Sequence, residues 1–274
     1  MLKFMIITNQ PADARAAVDS GVQRIMVDLE ILGKYERQGH KDTFVTTHVP
    51  DDIDRVRRAV PDAELMVRVN PYHAGTPKEV DDAIARGADL MMLPMFTTLE
   101  EVQRTRDAIG GRARFVPLCE HRDAFNALPA IAEQKLADEL YLGLNDLHLS
   151  LGQHFVFAPL LDGYGDRFAA IARAAGLPFG IGGVGVANAE PLRGDWIMAE
   201  YARIGSTRVI LGRAFQKACT GGSRTLAESA EEMQTQIEML HDVYARAQQT
   251  DAAQQEEARQ RFYRRIEGLV TSTK

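Results

Sequence analysis

The chain of 274 residues, 45% hydrophobic and 26% charged, is long enough to bury a full core and too apolar to be disordered. A formal charge of −6, with no dominant basic face, argues against a nucleic-acid partner. Only two cysteines occur, Cys119 and Cys219, which excludes a disulfide framework and a thiolate zinc site and leads us to expect a reducing, cytoplasmic setting.

The first apolar run, residues 1–8, is too short for a signal peptide or a membrane span and reads as a strand, so no membrane partner is expected. A helix opens at Pro11 with Ala14, Ala17 and Val18 on one face. Alternation then continues through strand 24–30, helix 51–60, strand 65–70, helix 77–86, strand 90–96 and helix 99–109. It runs on through strand 114–120, helix 124–134, strand 139–145, helix 167–175, strand 178–183, helix 195–204 and strand 208–214. A last helix lies beyond Thr225. The strands are unbroken apolar runs, such as Leu90-Met91-Met92-Leu93, as expected when both faces are buried. Eight strand–helix units imply a parallel sheet closed into a (β/α)8 TIM barrel over residues 1–222, with an open doubly wound sheet as the structural rival.

Residues 223–274 differ in character. Leu226, Ala230, Met233, Ile237, Leu240, Tyr244 and Ala247 fall at spacings of four and three on an otherwise polar helix, which makes an apolar seam. The seam breaks at 248–251, and Phe262, Ile266 and Leu269 begin a second. Two readings stand side by side: the last barrel helix plus a packed cap within the same domain, or an arm that joins subunits of a homo-oligomer.

In such barrels chemistry sits at the C-terminal ends of the strands, so the polar residues that end apolar strands are the candidates. They are Asp28 and Glu30, Arg68 and Asn70, Glu120, Asn145 and Asp146, Gly182-Gly183, and Arg213. Glu120 and Asp146 lie one unit apart. Adjacent strands run roughly 5 Å apart, so both carboxylates can reach one ion. Two carboxylates without a thiolate or histidine cluster suit Mg²⁺ or Mn²⁺. Either carboxylate alone could equally cap the following helix. Gly180-Ile181-Gly182-Gly183-Val184-Gly185 matches the dinucleotide-binding spacing, but it comes late in the chain and outside the required unit, so a nicotinamide cofactor is rejected. Glycines after a seventh barrel strand instead let substrate oxyanions approach backbone N–H groups, which makes Gly183 a substrate-binding candidate. His121 and His148 follow the two proposed ligands as neighbours or as plain surface. His40 and His48 are read with the long charged loop 31–47, which could act as a lid or carry a base. Cys119 points away from the pocket if Glu120 points in.

The motifs Val27-Asp28-Leu29-Glu30, Val67-Arg68-Val69-Asn70, Gly87-Ala88-Asp89-Leu90-Met91-Met92-Leu93-Pro94, Leu118-Cys119-Glu120 and Gly143-Leu144-Asn145-Asp146-Leu147, closed by Leu151-Gly152, resemble those of the HpcH/HpaI aldolase and citrate lyase β-subunit family. The resemblance runs over residues 4–215. It implies a metal-dependent carbon–carbon lyase in which Glu120 and Asp146 match the metal ligands and Arg68 the substrate-binding arginine. A 2-keto acid and an aldehyde would be its small-molecule partners, with Asp28, Glu30, Asn70 and Asn145 around them. Two departures stand out. The aldolase branch carries a histidine, and the citrate lyase branch an aspartate, where Ile31 stands here. The Pro-Lys after the fourth strand is Pro94-Met95. The base must then come from elsewhere, with His40 or His48 as candidates. Lyase action on a CoA thioester and a non-catalytic keto-acid-binding barrel remain the alternatives.

Overall fold

The computed structural model describes residues 1–33 and 47–272. Eight parallel strands close into one barrel in chain order. They are β1 (Lys3–Ile7), β2 (Arg24–Asp28), β3 (Glu64–Arg68), β4 (Leu90–Leu93), β5 (Arg114–Cys119), β6 (Leu140–Leu142), β7 (Phe179–Val184) and β8 (Arg208–Leu211). The helices between them are α1 (Pro11–Asp19), α2 (Asp51–Ala59), α3 (Thr76–Ala85), α4 (Leu99–Ile109) and α5 (Ala124–Glu133). After β6 come α6 (Leu144–Ser150), α7 (Ala158–Leu161) and α8 (Tyr164–Ala174), and after β7 comes α9 (Gly194–Ile204). Beyond β8 follow α10 (Arg213–Thr220), α11 (Ala230–Gln249) and α12 (Ala252–Ser272). The expected TIM barrel and its extra C-terminal helical segment are present.

Period-two alternation along each strand sorts the core into two layers. Outward residues such as Phe4, Ile25, Val67, Met91 and Phe115 pack under the helices. Inward residues Met5, Met26, Met66, Met92, Leu118 and Tyr141 fill the barrel itself. Flexible methionine side chains suit this irregular interior. The Tyr141 ring needs the space left by Gly180, where an added Cβ would stand 2.2 Å from it, and its hydroxyl donates to the Gly182 carbonyl at 3.0 Å.

The N-terminal mouth is closed by charge. Arg24 at the foot of β2 is buried, forks onto Glu139 at 2.9 Å through both terminal nitrogens, and donates to Glu64 at 2.9 Å. Lys3, Arg114 and Arg208 complete the cluster. Burial works against ionisation of Glu64, yet Lys3, Arg24 and Arg114 outweigh it and hold the carboxyl at about 2.

Two strand ends differ from the sequence reading. Residues 139–145 were expected to be one strand, but β6 stops at Leu142, and Leu144 opens the short helix α6. Leu144 and Leu147, three apart, bury one face of it, and Asp146 in the first turn suits the positive end of the helix dipole. Likewise β8 ends at Leu211, and Arg213 opens α10 as an exposed residue instead of ending the strand.

Most of the two apolar seams packs against the chain's own barrel, with Ala230, Ala247 and Leu269 half-buried. Met233, Ile237, Leu240 and Tyr244 of α11 are buried, and α11 packs on α9 and α1 in the place of the eighth barrel helix. The Tyr244 hydroxyl donates to the Ser206 carbonyl at 3.0 Å. On α12, Phe262 and Ile266 are buried, the helix lies on α9 and α7, and Phe262 meets Phe157 edge-on at 6.4 Å.

Candidate active site

Register along the barrel brings the candidate residues to one mouth. Asp28 and Arg68 are paired neighbours at the C-terminal ends of β2 and β3. The Arg68 guanidinium donates through Nε and a terminal nitrogen to the two Asp28 oxygens, both at 2.8 Å, and Glu30 lies 3.5 Å from Nε. A bidentate fork of this kind fixes the plane of the guanidinium as well as its position. Burial alone would disfavour the Arg68 charge, but Asp28, Glu30 and Glu120 together hold it protonated above its ordinary range. Asp28 also accepts from the Glu30 backbone N–H at 3.2 Å, so one carboxylate sets both the arginine and the turn that carries Glu30.

Glu120 follows β5, and the Cys119 carbonyl accepts from Gly143 N–H at 2.9 Å, which sets Glu120 beside the start of α6. The space it occupies exists because residue 143 has no side chain: an added Cβ would stand 2.7 Å from Glu120 Oε2 and 2.8 Å from its Cβ. Oε1 of Glu120 accepts from the Met95 backbone N–H at 3.1 Å. Met95 lies at φ 52, a left-handed conformation that costs a non-glycine residue roughly 1–2 kcal/mol. Strain of this kind gathers at functional sites, and here it aims an N–H at the carboxylate. Burial pushes the Glu120 carboxyl well above its usual range, the charges of Asp146 and Glu30 push it further, and Arg68 and the Met95 N–H only partly oppose them.

Asp146, in the first turn of α6, is also buried. Asp28, Glu30 and Glu120 thus act on one guanidinium at the mouth, and Asp146 acts on Glu120, an excess of carboxylates that a cation would relieve. Among the described residues no group of three histidine, cysteine or carboxylate side chains is gathered to hold a metal. Glu120 and Asp146, both buried at this mouth, carry hard oxygen donors that could hold a divalent ion. Such a donor set fits Mg²⁺ or Mn²⁺, which retain exchangeable waters.

The other candidates are placed as follows. Asn70 is buried, its carbonyl oxygen accepts from Ile31 and Leu32 N–H at 2.9 Å each, and its amide donates to Glu79 at 2.7 Å. It pins the backbone just past Glu30. Glu79 fixes the amide's orientation by also taking Asn70 N–H at 3.3 Å, and His73 lies 3.0 Å from the same carboxylate. Asn145 is exposed at the start of α6. Gly183 is half-buried near the end of β7, and its carbonyl accepts from the Tyr201 hydroxyl at 3.2 Å. His48 is half-buried and its Nδ1 accepts from Asp28 N–H at 3.0 Å. His40 lies outside the described residues. Cys119 is buried, as expected of a core thiol. Sequence reasoning quoted Gly143 only as part of a motif and missed Glu79 and the Met95 N–H.

A closed parallel barrel with a carboxylate-rich mouth centred on one forked arginine defines the class: a (β/α)8 barrel whose polar site sits at the strands' C-terminal ends. The chain belongs to the HpcH/HpaI aldolase/citrate lyase family, which it matches over residues 4–190. Its fold is similar to that of an HpcH/HpaI aldolase from Desulfitobacterium hafniense DCB-2, with TM-score 0.62 and 15% identity over 83% of this chain and 93% of that one. It is also similar to the citrate synthase SbnG, with TM-score 0.62 and 17% identity over 84% and 94% of the two chains. An HpcH/HpaI aldolase/citrate lyase family protein from Burkholderia cenocepacia J2315 aligns with TM-score 0.56 and 18% identity over 88% and 94%. No curated protein matches the sequence. Among the described residues no helix is long and apolar enough to cross a membrane.

Proposed function

We propose that this protein is a divalent-metal-dependent carbon–carbon lyase that cleaves or forms a 4-hydroxy-2-keto acid. The observation that carries the reading is the Arg68–Asp28 fork set beside Glu30 and the buried Glu120–Asp146 pair. Cleavage of the C3–C4 bond leaves the pyruvate half as an enolate, so catalysis requires fixed positive charge where that oxygen becomes negative. Arg68 supplies it: the fork consumes Nε and one hydrogen of a terminal nitrogen, and the remaining N–H groups are held in one plane for a substrate oxygen. Mg²⁺ or Mn²⁺ held by Glu120 and Asp146 would add Lewis-acid polarisation of the keto group. The Met95 N–H engages Oε1 of Glu120, and Oε2 lies against Gly143. Asn70 and Glu79 tie down the turn behind Glu30 through the Ile31 and Leu32 N–H groups.

The test is pyruvate release from a panel of 4-hydroxy-2-keto acids, with malyl- and citryl-CoA alongside, in metal-free buffer and with added Mg²⁺ or Mn²⁺. Metal-dependent pyruvate release supports the reading. Turnover of the thioesters alone would replace it with a CoA-thioester lyase. Saturable binding of pyruvate without turnover of any substrate would replace it with a keto-acid-binding barrel.

A further inference from the structure

We infer that His73 is a positioning residue of this mouth, setting the turn behind Glu30 through Glu79 and Asn70. The part of this inference that concerns catalysis rests on the lyase reading above; the part that concerns the turn rests on geometry alone. Asn70, two residues past Arg68, is buried, and its carbonyl oxygen takes the Ile31 and Leu32 N–H groups at 2.9 Å each. Glu30, the residue before them, lies 3.5 Å from Arg68 Nε. The two ends of an asparagine amide have nearly the same shape, so hydrogen bonds alone decide which end meets those donors. Glu79 decides it. A carboxylate only accepts, so Oε1 of Glu79 draws the Asn70 NH₂ group at 2.7 Å and leaves the amide oxygen for the turn.

His73 engages the same carboxylate oxygen. Its Nε2 lies 3.0 Å from Glu79 Oε1, and its Nδ1 accepts from the Gly75 N–H at 3.1 Å. A peptide N–H has only a proton to give, so the neutral ring carries its own proton on Nε2, the atom that meets Glu79. Both ring nitrogens are thereby used. The His73 backbone is held as well, because its N–H donates to Thr76 Oγ1 at 2.9 Å. The ring also needs the missing side chain of Gly75: an added Cβ there would stand 2.6 Å from His73 Cε1. Half-buried His73 is thus one end of a chain of hydrogen bonds that passes through Glu79 and buried Asn70 to the 31–32 backbone. That chain ties the segment after β3 to the turn after β2, beside Arg68.

Two substitutions break the chain at its His73 end in different ways. His73→Leu removes the donor to Glu79. Gly75→Ala keeps every bonding atom, and its backbone at φ −86 and ψ −7 suits alanine, but the new methyl displaces the ring. Hydrogen exchange of the Ile31 and Leu32 amides in the full-length protein reads the result without substrate. Both variants should exchange these two amides about three- to tenfold faster, the value of one hydrogen bond. The amides of the barrel strands and the melting temperature should stay at the parent's values. His73→Gln, which keeps an N–H for Glu79, should restore the parent's rate. Unchanged exchange at Ile31 and Leu32 in both variants, or faster exchange spread evenly over the barrel, would overturn the inference. Kinetics supply the second arm, on whichever substrate the panel identifies. His73→Leu and Glu79→Ala should each lower kcat/KM by about tenfold. Together they should lose no more than the larger single loss, because both cut one chain. Losses that multiply would mark two independent roles and sink the proposal. If the panel yields no lyase activity, the lyase reading fails by itself, and amide exchange still decides whether His73 sets the turn.

Discussion

Replacing Gly143 by alanine asks how tightly the mouth is built around Glu120. Gly143 has φ −89 and ψ 103, a backbone conformation that alanine adopts freely, so strain along the chain contributes nothing. The cost is spatial. The new methyl would stand 2.7 Å from Glu120 Oε2, 2.8 Å from Glu120 Cβ and 3.1 Å from Leu118 Cδ1. Carbon atoms rest comfortably at roughly 3.5–4.0 Å, so the neighbours must retreat by about 0.7 Å or more. Oε2 could swing away, but Cβ is anchored to β5, and no rotamer relieves that contact. Overpacking of this kind costs about 1–3 kcal/mol. The melting temperature should therefore fall, by roughly 2–4 °C for each kcal/mol. Activity should fall further, because misplacing a catalytic group by about 1 Å can cost on the order of a hundredfold. Thermal denaturation and pyruvate release at saturating metal read the two effects. Gly212→Ala is the control, since its added methyl would lie 3.5 Å from the nearest atom, the Val184 carbonyl oxygen, an ordinary contact. A Gly143→Ala protein with the parent's melting temperature and kcat/KM would refute the reasoning.

Four further outcomes are expected. Glu120→Gln and Asp146→Asn should each abolish metal-dependent activity without unfolding the barrel; full activity of either at limiting metal would remove that residue from the ligand set. Arg68→Lys keeps a charge but loses the fork on Asp28, so kcat/KM should drop by at least about tenfold, or roughly 1.4 kcal/mol. The Glu64 carboxyl, held at about 2, contributes stability that is fully present above its unfolded value near 4.5 and is lost as pH falls through about 2. Glu64→Gln should therefore cost at most about 3 kcal/mol at neutral pH and flatten the acid-unfolding curve between those values, and an unchanged curve would count against the charge cluster as a stabiliser. Ile237→Glu with Leu240→Glu should lower the melting temperature independently of protein concentration, because both side chains are buried within a single chain; a loss confined to dilute protein would instead point to a subunit seam.

Much of the barrel was legible because its strands carry one signal each. Leu90-Met91-Met92-Leu93 reads as a strand buried on both faces, and the amphipathic helices between such runs leave few topologies. The placement of Asp28, Arg68 and Glu120 followed from a single rule, that polar residues ending apolar strands gather at one mouth. The rule erred where two signals overlap. Leu144-Asn145-Asp146-Leu147 continues an apolar strand in composition, yet its leucines repeat at helical spacing, and Gly143 turns the chain before Asp146 is reached. Other features leave no trace in one dimension. Arg24, Glu64 and Glu139 read as ordinary charges at strand starts, and only closure of the barrel brings them together. Methionine is not a residue that signals left-handed backbone, so the N–H that Met95 turns on Glu120 had no herald. Asn70 was placed at the right rim, but its hold on the 31–32 backbone depends on Glu79, nine residues away on the next helix.

The charged closure at the foot of the barrel has a kinetic corollary. Methionine, leucine and tyrosine side chains fill the interior and Arg24 is forked onto Glu139 beneath them, so among the described residues the foot of the barrel is packed shut. Whatever enters the mouth must leave by it. On the reading proposed above, Arg68 and the buried Glu120–Asp146 pair grip one half of the substrate, and we expect that half to leave after the other. Departure is then a queue: the aldehyde goes first and the keto acid last. Such an order predicts that the keto acid, as the product released last, inhibits competitively against the hydroxy-keto acid, whereas the aldehyde inhibits noncompetitively.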